Sequence, residues 1–222
     1  LLQLDMLEET SSKFVYCEEA MEALLESVAC EKNSATQALS AFVLSNLGGT
    51  CSWSGEPYTI PWLLKKAGLT SLHKNMIKNS DFSEKCLQDI GIETWCSQAA
   101  RRFLKIGSPL FRALEKGLKS KTRSTSRDCL AAIAWLGSEI TNAPDDLRYA
   151  SCEILLSRIE QSVHPGLELE ERLLGCLCIY YYTSGRGMKK LVNFSEGVRE
   201  SLRRLSNISW MAEELLKVAE YI

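Results

Sequence analysis

Nine cysteines, two histidines and an acidic N-terminal run are the residues of this chain that could do metal, thiol or acid–base chemistry. Cys176 and Cys178 stand two apart inside an apolar helical pattern. At that spacing on a helix the two thiols point to different faces, so they cannot chelate one metal ion. No second Cys or His pair lies nearby to complete a zinc set. Most of the other cysteines also fall in apolar helical stretches, the pattern of reduced, buried thiols rather than of a disulfide framework. His73 and His164 occupy turn-like polar contexts without the partners of a Ser/His/Asp or Cys/His arrangement. Gly185-Arg186-Gly187 lacks the Lys-Ser/Thr of a phosphate loop and reads as a helix stop. These residues therefore lead to no expected catalytic residue, cofactor or metal, and this chain is not expected to be an enzyme.

Charge placement carries more. Residues 1–31 hold eight acids against the single Lys13, a net −7 that leaves +5 for the rest of a chain whose total is −2. An acidic helix thus precedes a mildly basic body. Four short helices that follow turns place basic residues at their polar positions: Lys65 and Lys66; Arg112, Lys116 and Lys119; Arg158; Arg199, Arg203 and Arg204. Glu115, Glu153 and Glu200 dilute the pattern. If these helices line one groove, they would bind a protein partner through an acidic or phosphorylated segment, with arginine forks favouring two-pronged contacts. The alternative is an ordinary solvated face. Lys116–Arg127 concentrates positive charge around an expected loop, but no aromatic interleaving supports nucleic-acid binding.

The elements that must position these residues are helical. Met21, Leu24, Leu25 and Val28 recur at i, i+3, i+4 and i+7, with glutamates on the other face. Ser34–Gln37 has the pattern of a capping box and opens a helix to Leu47. Further helices are expected at Trp62–Ala67, Asp81–Ile90, Glu93–Lys105, Leu110–Lys119 (with Ser108 as cap and Pro109 first), Arg127–Ile140, from Asn142 to Ile159, Leu169–Tyr182, Val198–Leu205 and Trp210–Ile222. No segment alternates with period two long enough for a strand. The chain is all-α. Leu47-Gly48 and Leu136-Gly137 end similar small-apolar helices 89 residues apart, and Leu136 to Tyr180 is a further 44. Periods of about 40–47 residues belong to HEAT and armadillo arrays. The expected architecture is an armadillo/HEAT-like α-solenoid over residues 32–222, capped by the acidic helix of residues 1–31. Its core is expected from the apolar helices at 37–47, 129–137, 171–182 and 210–222.

At 222 residues and 45% hydrophobic the chain is long enough for one continuous core. Its apolar runs fall short of the ~20 residues needed to span a bilayer. No basic start followed by a short apolar core marks a signal peptide. The thiols then point to the cytoplasm or nucleus. The opening Leu1-Leu2-Gln3 reads as the start of a segment of a longer protein.

The stretches WCSQAARRFLKIGSPLFRALEKGLKSKTRSTSRDCLAAIAWLGSEI (residues 95–140) and SLRRLSNISWMAEELLKVAEYI (residues 201–222) resemble the central region of plant U-box E3 ubiquitin ligases of the LIN/CERBERUS type. The resemblance implies an armadillo-like region set between a U-box and WD40 repeats, in proteins linked to accommodation of symbiotic root microbes. Neither a U-box run nor a Trp-Asp blade ending occurs in this chain. The resemblance therefore implies an interaction scaffold for a substrate or adaptor, without ubiquitin transfer by this segment, and it supplies no site residues. The alternative is a spacer that self-associates through the helix Trp210–Ile222.

Overall fold

The structure, a computed structural model, describes residues 11–49, 57–69, 90–184, 188–192 and 194–220. They form ten α-helices: α1 (Ser11–Val28), α2 (Ser34–Leu47), α3 (Thr59–Lys66), α4 (Ile90–Leu104), α5 (Ser108–Leu118), α6 (Arg123–Ile140), α7 (Asp145–Ser162), α8 (Leu169–Thr183), α9 (Glu196–Leu205) and α10 (Trp210–Glu220). No strand occurs among the described residues, and none of their helices is long and apolar enough to cross a membrane. The expected helix at Asp81–Ile90 lies outside the described residues, apart from Ile90.

The centre is α6. Its middle, Cys129–Gly137, is fully buried. It packs against α2 on one side and α8 on the other, with α4 and α5 also laid along it. α10 continues the row on α8, so the four apolar helices read from the sequence do form one core. Helices that are apolar nearly all round must be enclosed in this way. Trp135 pins α6 to α2: its Nε1–H donates to the Leu44 carbonyl at 3.2 Å, and Phe103 of α4 stacks edge-on at 5.7 Å. A Cβ on Gly48 would overlap the Trp135 ring, so only glycine lets the end of α2 close over the indole. Tyr182 of α8 reaches α6 by donating to the Ile133 carbonyl at 3.4 Å.

Several boundaries differ from the sequence reading. The cap of α2 is Asn33, whose side chain accepts from the Thr36 amide at 3.1 Å. Gln37, read as part of a capping box, instead donates to the Val28 carbonyl at 2.9 Å and accepts from Ser120 at 3.0 Å, tying α1, α2 and the turn between α5 and α6 together. Gly107, at φ 78°, caps α5, with Ser108 and Pro109 as its first two residues. The largest difference is α6, which begins at Arg123 rather than Arg127. The polar run read as loop is drawn into the helix because Arg123 grips Glu171 of α8 with two hydrogen bonds, at 3.0 and 2.7 Å. α3 likewise starts at Thr59, whose buried side chain packs against Gly49.

Candidate functional site

A groove of 920 Å³ lies between α1 and the α4–α5 corner. Its position follows from what each helix buries. On α1, Met21, Leu25 and Val28 face inward, which leaves Glu18, Glu22 and Glu26 as an exposed row at i, i+4 and i+8. On α5, Leu110, Phe111 and Leu114 are buried and Arg112 and Lys116 are exposed. Arg102 and Lys105 at the end of α4 extend the basic side. The floor is apolar, from Met21, Leu25, Ala29, Ile106 and Ala113. α1 and α5 meet at Gly117, where a Cβ would overlap the Cys129 sulfur and crowd Val28 at 3.1 Å. That contact closes one end of the groove and sets its two walls facing each other.

The nine basic residues singled out in the sequence divide sharply. Lys66 pairs with Glu93 and sits 5.6 Å over the Trp62 ring. Lys119 pairs with Glu115, which Arg158 also approaches at 3.9 Å. Arg199 donates to the Phe194 carbonyl at 3.2 Å. Arg203 reaches Glu196 at 3.0 Å and Glu200 at 3.4 Å, and Arg204 reaches Glu200 at 3.0 Å. The hydrogen bonds from Arg204 and Arg203 hold the Glu200 carboxyl below its ordinary range. Lys65, Arg112 and Lys116 have no ion-pair partner among the described residues. The structure brings Arg112 and Lys116 together on the groove wall. Lys65 and Lys66 ride on α3, which packs on α6 and α8, while Arg199, Arg203 and Arg204 ride on α9, which packs on α10. Sequence reasoning missed Arg102 and Lys105, whose i, i+3 spacing at a helix end was the available signal. It placed the glutamates of α1 on the face away from the apolar residues without assigning them to a groove.

Other charged groups are built into the packing. Burial pushes the Glu139 carboxyl up, but hydrogen bonds from Arg101 (2.8 Å), Ser97 and Asn142 (3.0 Å) outweigh it and leave it lowered. Burial raises the Glu160 carboxyl, which has no hydrogen-bond or ion-pair partner among the described residues. Among the described residues the thiols of Cys96, Cys129, Cys152, Cys176 and Cys178 are core, and Cys30 is half-buried. Burial pushes Cys96, Cys129 and Cys176 up to about 12 and Cys152 to about 11, with Cys178 also raised. At neutral pH such thiols are protonated and enclosed, unlike a reactive thiolate. Cys176 and Cys178 are both fully buried. His164 is exposed, and its Nδ1 accepts from the Gly166 amide at 3.3 Å as part of a turn. His73 and Gly185–Gly187 lie outside the described residues. No group of three His, Cys, Asp or Glu among the described residues could hold a metal.

An all-α array with a buried row of apolar helices and a charged groove on its flank defines an ARM-like domain, a class that serves protein interaction. The chain belongs to the family described as "Putative E3 ubiquitin-protein ligase LIN, ARM-like domain", whose match runs over residues 1–220. Among curated proteins it is similar to LIN-2 and LIN-1 of Lotus japonicus and LIN of Medicago truncatula, each named as a putative E3 ubiquitin-protein ligase. Each is 28% identical over 98% of this chain, and the match covers 15% of the relative. The chain therefore spans about a seventh of the length of these relatives. A crystal structure described as an engineered protein aligns with 91% of this chain and 97% of its own, at 17% identity and a TM-score of 0.40.

Proposed function

We propose that this chain is the docking region of a U-box-type ubiquitin ligase, holding a substrate or adaptor through an acidic or phosphorylated segment. The observation that carries the reading is the availability of Arg112 and Lys116. They are exposed, one helical turn apart, unpaired among the described residues, and set on the wall of an apolar-floored groove. Lys65 lies away from this groove on α3, and Lys66, Lys119, Arg158, Arg199, Arg203 and Arg204 would join only by giving up carboxylates or carbonyls they already hold, which makes them weaker contributors. In this reading residues 1–31 cap the array of residues 32–222, and other parts of the protein recruit the ubiquitin machinery. The place of such a ligase in accommodating root microbes belongs to the same proposal, and the legume origin of the relatives supports it.

The test is a pull-down from root extract at rising salt, with wild type and Arg112→Glu/Lys116→Glu compared. Circular dichroism checks that the variant is folded. A partner lost both to charge reversal and to about 0.5 M salt is the expected result, because exposed ion pairs are screened at that strength. Identical partners on both proteins would remove the groove's basic wall from the account. A second reading is self-association through α10, favoured by Trp210, which is 50% exposed although it stacks on Tyr180 at 5.5 Å. Light scattering that shows a monomer over a wide concentration series excludes it.

A further inference from the structure

The groove between α1 and α5 carries opposite charge on its two sides. Glu18, Glu22 and Glu26 line one, and Arg102, Lys105, Arg112 and Lys116 the other. A purely acidic segment would satisfy the second wall and be repelled by the first. The groove also lacks what an extended peptide needs. A bound strand must find donors and acceptors for its own backbone. Past the first turn of α5, both walls are helices whose backbone groups are bonded internally, and no asparagine or glutamine is among the described lining residues. A helix brings its backbone already satisfied. Its size also fits. A helix about 10 Å across occupies roughly 420 Å³ per 5.4 Å turn, so 920 Å³ accepts about two turns fully sunk, or about four half-sunk. The walls run from Glu18 to Ala29 and from Ser108 to Lys116, about 16 and 12 Å of helix, or two to three turns.

We propose that this groove docks an amphipathic α-helix of a partner protein, apolar along its seam, basic on the edge facing α1 and acidic on the edge facing α5. The inference rests on the docking reading above and names the chemistry of the partner. α1, α5 and the guest form a three-helix packing in which the flanking charges act as the e and g positions of a coiled coil do. Turning the guest end for end would set like charge against like on both walls, so the groove fixes its direction as well as its pattern.

The probes are three stapled helical peptides of about 14 residues, four turns, with one apolar seam. One has a lysine edge and a glutamate edge, one has glutamate on both edges, and one has lysine on both. Binding to the whole 222-residue chain is read by fluorescence anisotropy at low salt. The two-signed peptide is expected to bind roughly tenfold tighter than either single-signed peptide, from several exposed pairs of modest strength each. Glu22→Lys/Glu26→Lys shifts the preference to the all-glutamate peptide, and Arg112→Glu/Lys116→Glu shifts it to the all-lysine peptide. A proline-interrupted, unstapled version of the two-signed peptide loses binding. If wild type takes the all-glutamate peptide as tightly as the two-signed one, the basic wall acts alone. That overturns this inference and leaves the docking reading intact. Equal binding of the proline-interrupted peptide overturns the helical form of the guest. Failure of all three peptides, or variants that keep the wild-type order, overturns the groove as the site, and the extract pull-down then decides the docking reading separately.

Discussion

The inner seams of α6 and the outer flanks of α1, α5 and α7 treat charge in opposite ways. Along the α4–α6 seam Glu139 is almost buried and held by Arg101 and Asn142. Along the α6–α8 seam Glu171 is equally buried and gripped by Arg123. Each carboxylate closes a contact between helices and has nothing left to offer a partner. On the groove wall Arg112 and Lys116 have no ion-pair partner among the described residues, and on α7 the Glu160 carboxyl is half-sunk without one. Buried charge is tolerated only when it is hydrogen-bonded, while unpaired charge persists where water or a partner can reach it. The division separates the residues that hold the array together from those free to bind.

The comparison is broken most severely at its inner side. Trp135 is fully buried, bonded to α2 and stacked on α4. Trp135→Ala leaves a cavity where α2, α4 and α6 meet and is expected to cost about 3–5 kcal/mol in denaturant unfolding. A cost below about 1 kcal/mol would mean that α2 and α6 do not share one cooperative core.

Glu139 tests the clasp. Its carboxyl is lowered in the folded chain, so its stabilising effect is fully present above the ordinary carboxylate value near 4.5 and is lost as the pH falls through the folded value. Glu139→Gln should lower Tm by about 2–4 °C at pH 7, with the gap to wild type closing as the pH drops below about 4.5. A gap that does not change with pH would show that the side chain acts through packing and not through its charge.

The path of the spine was legible in the sequence, and the facing of the groove was not. Cys129–Gly137 and Leu173–Ile179 are apolar on every side, and such helices have to lie at the centre wherever the loops run. The start of α6 was hidden because Arg123–Ser126 is locally a polar run. What makes it helix is Glu171, 48 residues further along the chain. The groove walls were visible one at a time, as a glutamate row on α1 and an Arg–Lys pair on α5. Nothing in either periodicity says that they oppose each other. Gly117 decides that, by letting α1 and α5 close on Cys129, and a lone glycine in a helix pattern does not announce which neighbour it admits. Among the remaining basic positions, the Lys119–Glu115 and Arg204–Glu200 pairs follow from i, i+4 spacing on one helix, but the Glu93 partner of Lys66 follows only from the tertiary fold.

Glu160 sharpens the comparison from the outer side, with the smallest expected effect and the opposite sign. It lines a shallow 460 Å³ depression on α7 with Tyr149, Leu156 and Leu191, and burial alone raises its carboxyl. A raised folded value means that the folded chain holds this proton more tightly than the unfolded chain. The group therefore favours folding at low pH, and its contribution becomes a cost as the pH rises through that value. Glu160→Gln keeps the shape and removes the uncompensated charge. It should raise Tm by about 1–2 °C at pH 7, and the gain should shrink as the pH falls and the raised wild-type carboxyl takes up its proton. The paired carboxylate Glu139 and the unpaired Glu160 would then respond to the same substitution with opposite signs. A loss of stability in Glu160→Gln at pH 7 would instead mean that the carboxylate is held by a favourable contact, and that α7 belongs with the clasped seams rather than with the open flanks.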